Sequence, residues 1–307
     1  MPKIAATMPL AMLPSGHLKG VLLTTAGILI LSPDALLLRL IGADIWTLLF
    51  WRGLLCFIGM AMITLLLDRP YGIRRLFAIG RPEFQVIGVN ACMHVFFVFA
   101  ILNTTVANVL VIMSISPLLS AILSRFVLRE PVAKRTWYTA IAVFAGLSLI
   151  FSQSLSSNTL TGDFAASVVA VLLACNLVLL RRYRKVSMIP ARAWSEAVVA
   201  LIVWPLAMPA SIEATAWAYT LLLGLVILPI SGALITLGPR YLPAPEVNLI
   251  MLLETLLGPL WVWLVISEAP SFETLLGGAT ILVALVLMSI TAMRLGANVF
   301  SSSQNEP

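Results

Sequence analysis

The sequence predicts an all-α membrane protein of ten transmembrane helices, arranged as two inverted five-helix repeats with both termini inside. Three observations predict it: long apolar runs, basic residues in alternate gaps between the runs, and a repeat that relates the two halves. The 307 residues are 61% hydrophobic and only 10% charged, and the mean hydropathy is +1.05. Because a soluble domain carries about 25% charged residues, this composition excludes a water-soluble protein.

The apolar runs are about 20 residues long, the length that a helix needs to cross roughly 30 Å of hydrocarbon. A membrane β-barrel would need alternating polar and apolar residues, and the runs do not alternate. We expect spans at 18–38, 44–67, 82–102, 104–127, 134–151, 160–181, 192–210, 216–237, 245–266 and 273–294. The two repeats are then 17–151 and 160–294, between a cytoplasmic tail at 1–16 and a disordered cytoplasmic tail at 295–307.

Basic residues set the orientation of these spans. Seventeen of the nineteen Lys and Arg residues, Arg192 among them, lie in alternate gaps between the runs. Arg39 lies in an outer gap, and Arg52 lies inside a run. Since short loops rich in Lys and Arg stay in the cytoplasm, we expect a multi-pass protein of the bacterial inner membrane with both termini inside. The net charge of +6 suggests lipid head groups, not nucleic acid, as partners of these loops. The oligomeric state stays open.

The sequence predicts neither a metal, a cofactor nor an enzyme activity. Cys56, Cys92 and Cys175 lie inside apolar runs at spacings that imply no disulfide and no metal site. The two His residues have no carboxylate at a metal-ligand spacing. The chain has no phosphate-binding loop and no catalytic pair of carboxylates.

An internal repeat relates residues 107–146 to the sequence 138 positions further on. Apolar matches are common between membrane helices, so the match of Glu130 with Glu268 carries most of the weight. The charge distribution places Glu130 in the cytoplasm and Glu268 outside. Two halves with an odd number of crossings each must then be inverted, which is an architecture of transporters that alternate access around a central site.

Two acidic corners and one acidic segment resemble a known family. Arg129-Glu130-Pro131 follows the fourth span, Ser267-Glu268-Ala269-Pro270 follows the ninth, and Leu253-Glu254 with Pro259 lies within the ninth. This pattern resembles the EamA type of the drug/metabolite transporter superfamily over about residues 17–294. The resemblance implies export of a small-molecule substrate, with amino acids or related amphipathic solutes expected. An uncoupled facilitator or exchanger, and a membrane sensor or scaffold that transports nothing, remain alternatives.

Glu254 is the strongest candidate for a functional side chain. It lies in the middle of the ninth span, where an ionised carboxylate costs about 2.5–3.5 kcal/mol or more. Such a carboxylate can load and release a proton, or bind the ammonium group of a substrate. The structural alternative is a protonated carboxyl group that bonds a neighbouring hydroxyl.

His94 lies at a similar depth in the third span, with Asn90 one turn away on the same face. A histidine there can relay a proton, accept a hydrogen bond from substrate or pair with Glu254. A plain hydrogen bond between helices is the structural alternative.

Arg52 is the one cation that the sequence places inside a span, and Asp34 near the outer end of the first span is its expected partner. Such a pair is either structural or part of a gate, and the alternative role for Arg52 is to bind a substrate carboxylate. Arg39 is a competing partner for Asp34. Glu196, just inside the seventh span, is expected to extend to the cytoplasmic surface.

Prolines interrupt three spans, at Pro33, Pro117 and Pro229. A proline frees a backbone carbonyl, which in lipid must face protein or a watery cavity. The 138-residue offset also places Ser116 opposite Glu254, so that both spans are polar at mid-depth. Either these breaks are simple kinks, or they surround a central cavity that is also lined by Met93, Met113, Met251, Phe96, Phe97 and Trp261.

Overall fold

The computed structural model describes residues 15–67, 72–127, 138, 141–149, 159–242, 244–284 and 287. Across these residues the chain is helical and contains no β-strand. Seven helical segments are long and apolar enough to cross a membrane: Gly16–Ile41, Ile45–Leu67, Arg81–Asn103, Val106–Val127, Leu160–Arg182, Trp217–Tyr241 and Glu246–Ile266. The chain is therefore a multi-pass membrane protein. Phe272–Ala284 is a shorter apolar helix.

Within the described residues, the first part of the chain forms eight helical elements, four of which are the halves of two interrupted spans. They are α1 (Ser15–Leu31), α2 (Asp34–Ile41), α3 (Ile45–Leu67), α4 (Gly72–Leu76), α5 (Arg81–Asn103), α6 (Val106–Met113), α7 (Ser116–Val127) and α8 (141–149). A turn at Ser32 and Pro33 separates α1 from α2, and a turn at Ser114 and Ile115 separates α6 from α7.

Among the described residues of its second part, the chain forms six further α-helices. They are α9 (Leu160–Arg182), α10 (Ile189–Val203), α11 (Trp217–Leu221), α12 (Leu228–Tyr241), α13 (Ala244–Ile266) and α14 (Phe272–Ala284). A π-helical segment, Leu222–Ile227, joins α11 to α12 directly before Pro229.

The predicted span 192–210 differs most from the structure. Its helix α10 begins at Ile189 and ends at Val203, and Pro209–Ser211 is a separate 3₁₀ turn. Pro205 explains the early end, because a proline has no backbone N–H group to continue the hydrogen bonds of the helix. The predicted link to the fifth span, including Glu130, lies outside the described residues, as do residues 1–14 of the first tail and the tail at 295–307.

Local signals fix several helix ends. Asp44 accepts hydrogen bonds from the backbone N–H groups of Trp46 (2.9 Å) and Thr47 (3.1 Å) at the start of α3. The hydroxyl of Thr105 caps α6 by accepting from the N–H of Asn108. Gly42 ends α2 with a φ of 63°, a left-handed conformation that glycine adopts without strain.

The packing core lies between the first and the second half of the chain. Helix α3 packs along α10, α5 along α9, and α1 along α12. Helix α9 also contacts α6 and α7, while α13 contacts α1 and α2 as well as α6 and α7. Most of the buried apolar side chains of both halves form one continuous cluster. The interior is therefore a surface that the two halves share.

Gly53 lets α3 and α10 approach closely. A Cβ atom at this position would lie 2.6 Å from the backbone oxygen of Glu196 and 3.2 Å from the Cβ atom of Ala200. We expect Gly53→Ala to push the two helices apart and to lower the midpoint of thermal unfolding of detergent-purified protein by several degrees. Overpacking of this kind typically costs about 1–3 kcal/mol.

Gly88→Ala on α5 is the matched control, because no heavy atom lies within 4 Å of the added Cβ. Alanine favours a helix over glycine by about 1 kcal/mol, so this variant should melt at or above the wild-type temperature. Equal midpoints for the Gly53 and Gly88 variants would contradict the close contact of α3 with α10.

Candidate functional site

A cavity lies between the two halves, lined by residues of α1–α3, α5, α6, α9, α10, α12 and α13. Its volume is about 60 Å³, counted as the space open to the centres of water molecules. Most of its wall is apolar, with Met93, Phe97, Met113 and Met251 among the lining residues.

Two aromatic residues that were expected in the cavity wall lie elsewhere. The cavity is not lined by Phe96 or Trp261, whose side chains are 37% and 40% exposed on the outside of the bundle. The indole N–H of Trp261 donates to the hydroxyl of Ser32 at 3.0 Å.

Six buried charged or titratable side chains gather in and against this cavity. We call them the buried charge cluster: Asp34, Arg52, His94, Arg192, Glu196 and Glu254. All of them except Glu196 line the cavity directly. Charged groups inside a membrane bundle are costly and mark substrate or ion pathways.

Arg52 and Asp34 form a bidentate pair. The two terminal nitrogens of Arg52 donate to the two carboxylate oxygens of Asp34 at 2.7 and 2.9 Å. Asp34 begins α2 directly after Pro33, where the N-terminal end of the helix favours a negative charge. The guanidinium also lies over the ring of Phe97, 5.4 Å from its centre. Both charges of this pair are therefore satisfied.

Arg39 pairs away from Asp34. Its Nη2 atom donates to the backbone oxygen of Thr104 at 2.7 Å and lies 3.6 Å from a carboxylate oxygen of Glu268. Glu268 also accepts from the N–H of Val106 at 3.0 Å, and so joins the end of α13 to the start of α6. Ser267, in the same corner, has a φ of 58°, which costs a non-glycine residue about 1–2 kcal/mol.

His94 pairs with Glu196, not with Glu254. Its Nδ1 atom lies 2.7 Å from Oε1 of Glu196, although the ring N–H is not aligned on that oxygen. The expectation that Glu196 extends to the cytoplasmic surface was wrong, because Glu196 is only 2% exposed. Helix α10 begins before the predicted seventh span, so Glu196 lies two turns inside it and faces α5.

Glu254 lines the cavity and is not paired with any described residue. It lies at the middle of α13, is 8% exposed, and has no hydrogen-bond or ion-pair partner within the described part of the chain. Asp34, Arg52 and Arg192 are close enough to act on its charge through space. A lone carboxylate at this place can accept a proton or a cationic group.

Asn90 and Ser116 do not line the cavity, and each bonds an asparagine of another helix. The side-chain nitrogen of Asn90 donates to the side-chain oxygen of Asn176 at 3.2 Å, and Asn176 lines the cavity. The hydroxyl of Ser116 donates to the side-chain oxygen of Asn248 at 3.0 Å, which ties α7 to α13. The sequence did not point to Asn176 or Asn248, because asparagine is common at helix interfaces and neither residue stands out in its span.

Arg192 is the most important residue that the sequence analysis misplaced. The positive-inside count assigned it to a cytoplasmic link, yet the structure places it in the cavity wall with 9% exposure. Its signal in the sequence is Glu196, one helical turn further on.

A second buried network lies away from the cavity. The side-chain nitrogen of Asn108 donates to the carboxylate of Asp163 at 3.2 and 3.4 Å, and its oxygen accepts from the hydroxyl of Thr274. These residues join α6, α9 and α14. No group of three His, Cys, Asp or Glu residues with metal-binding geometry occurs among the described residues.

The Asp34–Arg52 pair should be a stability element. We expect Asp34→Asn and Arg52→Gln each to lower the thermal unfolding midpoint strongly, because each leaves one buried charge unpaired, at a cost of about 3–5 kcal/mol. The double variant should recover much of the loss. The half-exposed Arg39–Glu268 pair is the control, and Arg39→Gln should cost no more than about 1 kcal/mol. Losses that simply add in the double variant would rule out the pairing.

A solved structure has a fold similar to that of this chain. A crystal structure of a protein matches 91% of this chain and 99% of its own chain, with a TM-score of 0.70 and 21% sequence identity. At this identity the likeness concerns the fold alone.

Sequence comparisons give a family relationship. No curated protein matches the chain. The sequence model of the EamA-like transporter family, within the drug/metabolite transporter superfamily, matches residues 18–152 and confirms the resemblance inferred from the sequence. The first part of the chain is therefore similar to EamA-like transporters.

Proposed function

We propose that the protein exports small metabolites, amino acids among them, across the bacterial plasma membrane by alternating access around the central cavity. The observation that carries this proposal is the buried charge cluster, which surrounds a cavity at the middle of a membrane-spanning bundle. A sensor or scaffold has no need of six such groups in its interior. The export direction and the solute class rest on the family resemblance.

The packing of the helices supports two inverted repeats. If α9 corresponds to α1 and α2, α10 to α3, α12 to α5, and α13 to α6 and α7, then each contact should have a counterpart when the halves are exchanged. Indeed α5 packs on α9 as α12 packs on α1, and α3 packs on α10. Likewise α9 contacts α6 and α7 as α1 and α2 contact α13. We therefore propose ten spans, with repeats at 17–151 and 160–294 and both termini in the cytoplasm.

The balance of charges supports proton coupling. The buried charge cluster contains three carboxylates, two guanidinium groups and one histidine. With the histidine neutral and all other groups ionised, the cluster carries one negative charge in excess. Because uncompensated charge is costly inside a membrane, the cluster should bind one proton or one cationic group, and Glu254 is the group without a partner.

The same balance of charges in the cluster is also compatible with transport that is not coupled to protons. A substrate with a net positive charge, whose ammonium group pairs with Glu254, neutralises the cluster without any proton. Such a protein would be a facilitator or an exchanger.

Glu254→Gln separates these two mechanisms. In liposomes loaded with labelled amino acids, we expect the wild-type protein to move solute in response to an imposed pH gradient. The variant should lose this response, since an amide cannot carry the proton. Glu213→Gln, an exposed acidic residue outside the membrane helices, is the matched control and should keep it.

Each other outcome has a definite meaning. Gradient-driven transport that survives in the Glu254 variant refutes coupling through this residue. Wild-type transport that ignores the gradient supports the facilitator. No transport above that of empty liposomes, for any amino acid of the panel, refutes the proposed function.

A further inference from the structure

Arg192 is a buried guanidinium group that no part of the described chain neutralises by direct contact. Its residue is 9% exposed, and its side chain lines the central cavity. Within the described residues, none of its guanidinium nitrogens has a hydrogen-bond acceptor, and no carboxylate lies within 4.0 Å of them. A buried arginine normally donates to such a partner, so the donors of Arg192 can bind an acceptor that enters the cavity.

The other cavity arginine cannot take that acceptor. The two terminal nitrogens of Arg52 are already occupied by Asp34. The carboxylate nearest to Arg192 along the chain, Glu196, directs an oxygen to His94. The cavity is therefore lined by one guanidinium group that is paired with a protein carboxylate, Arg52, and by one that has no such partner among the described residues, Arg192.

Gly232 leaves space for the guanidinium group of Arg192. A Cβ atom at this position would lie 2.7 Å from Nε and 3.2 Å from Cζ of Arg192. Gly232 lies near the start of α12, and the helix is continuous through Pro229 and Gly232, so the predicted break at Pro229 is wrong and it is the missing side chain of Gly232 that leaves room for the arginine. Backbone and side chain are thus fitted to hold a cation at the cavity wall.

We propose that Arg192 is the anion-binding residue of the cavity and that it holds the carboxylate of the transported solute. This inference rests on the proposed transport function and defines the chemistry of its substrate. A guanidinium binds a carboxylate with two parallel N–H···O bonds, as Arg52 does with Asp34. Glu254, also without a partner among the described residues, then lies near the ammonium group of the same zwitterion, which brings no net charge and so leaves the balancing proton of the cluster in place.

Three related probes test the assignment on purified protein: leucine, 3-methylbutylamine, which is leucine without its carboxylate, and 4-methylpentanoate, which is leucine without its amino group. Their branched apolar chain suits the methionine and leucine side chains of the cavity wall. We expect Arg192→Gln to weaken binding of leucine and of 4-methylpentanoate by about 10–100-fold, the effect of one charge-assisted hydrogen-bonding group. Binding of 3-methylbutylamine should not weaken, because removal of the Arg192 cation lowers the repulsion on an ammonium group bound at Glu254.

Gly232→Ala provides a second test that keeps every charge. The added methyl group displaces the guanidinium, so this variant should show the same selective loss for the two carboxylates. Gly88→Ala, which meets no atom within 4 Å, should bind all three probes as the wild type does. Thermal unfolding of each variant shows that it is folded before binding is measured, and the Gly232 variant serves if Arg192→Gln does not fold.

The outcomes separate the inference from the proposed function. If the wild-type protein binds leucine but the variants weaken all three probes equally, or none of them, Arg192 is not the carboxylate site and transport still stands. If the wild type binds none of the three probes, both the inference and the amino-acid function are wrong. Selective loss of the carboxylate probes supports both.

Discussion

A lipid bilayer offers no water to charges inside a helical bundle, so each buried charge must be balanced by a protein group, a proton or a ligand. The interior of this protein depends on that constraint. Asp34 and Arg52 balance each other with two short hydrogen bonds, and Glu196 lies against His94. Arg192 and Glu254 are left facing the cavity without a direct partner among the described residues. What the protein does not balance marks where a solute or a proton can bind.

The cluster also explains why the two halves must pack closely. Asp34, Arg52 and His94 come from the first half of the chain, and Arg192 and Glu254 come from the second. Gly53 brings α3 against α10 beside Glu196, and Gly232 leaves space for Arg192. A movement of one half against the other would therefore change the distances between opposite charges. In our proposal, solute binding and conformational change are coupled through these distances.

The depth of a side chain within its span follows from the sequence better than the identity of its contact partner. Charge patterning and run length placed Glu254, His94 and Arg52 inside spans, because position along a helix follows from the chain alone. The interaction partner of each group depends on the rotation of its helix and on neighbours that are distant in sequence. Asp34 could be expected as the partner of Arg52, but His94 kept several possible partners. Arg192 was missed because its span was predicted to begin at residue 192, whereas α10 begins at Ile189 and carries Arg192 one turn inside. A small error at a helix end thus moved a charge from the loop to the cavity.

The number of protons released when a solute binds tests the central claim most directly. In weakly buffered detergent solution with a pH indicator, saturating 3-methylbutylamine should displace about one proton per protein molecule, because its ammonium group replaces the proton that balances the cluster. With Glu254→Gln, the same probe should release none. Saturable binding of 3-methylbutylamine to the wild type without any proton release would contradict the account, since the cavity would then not have needed a balancing proton.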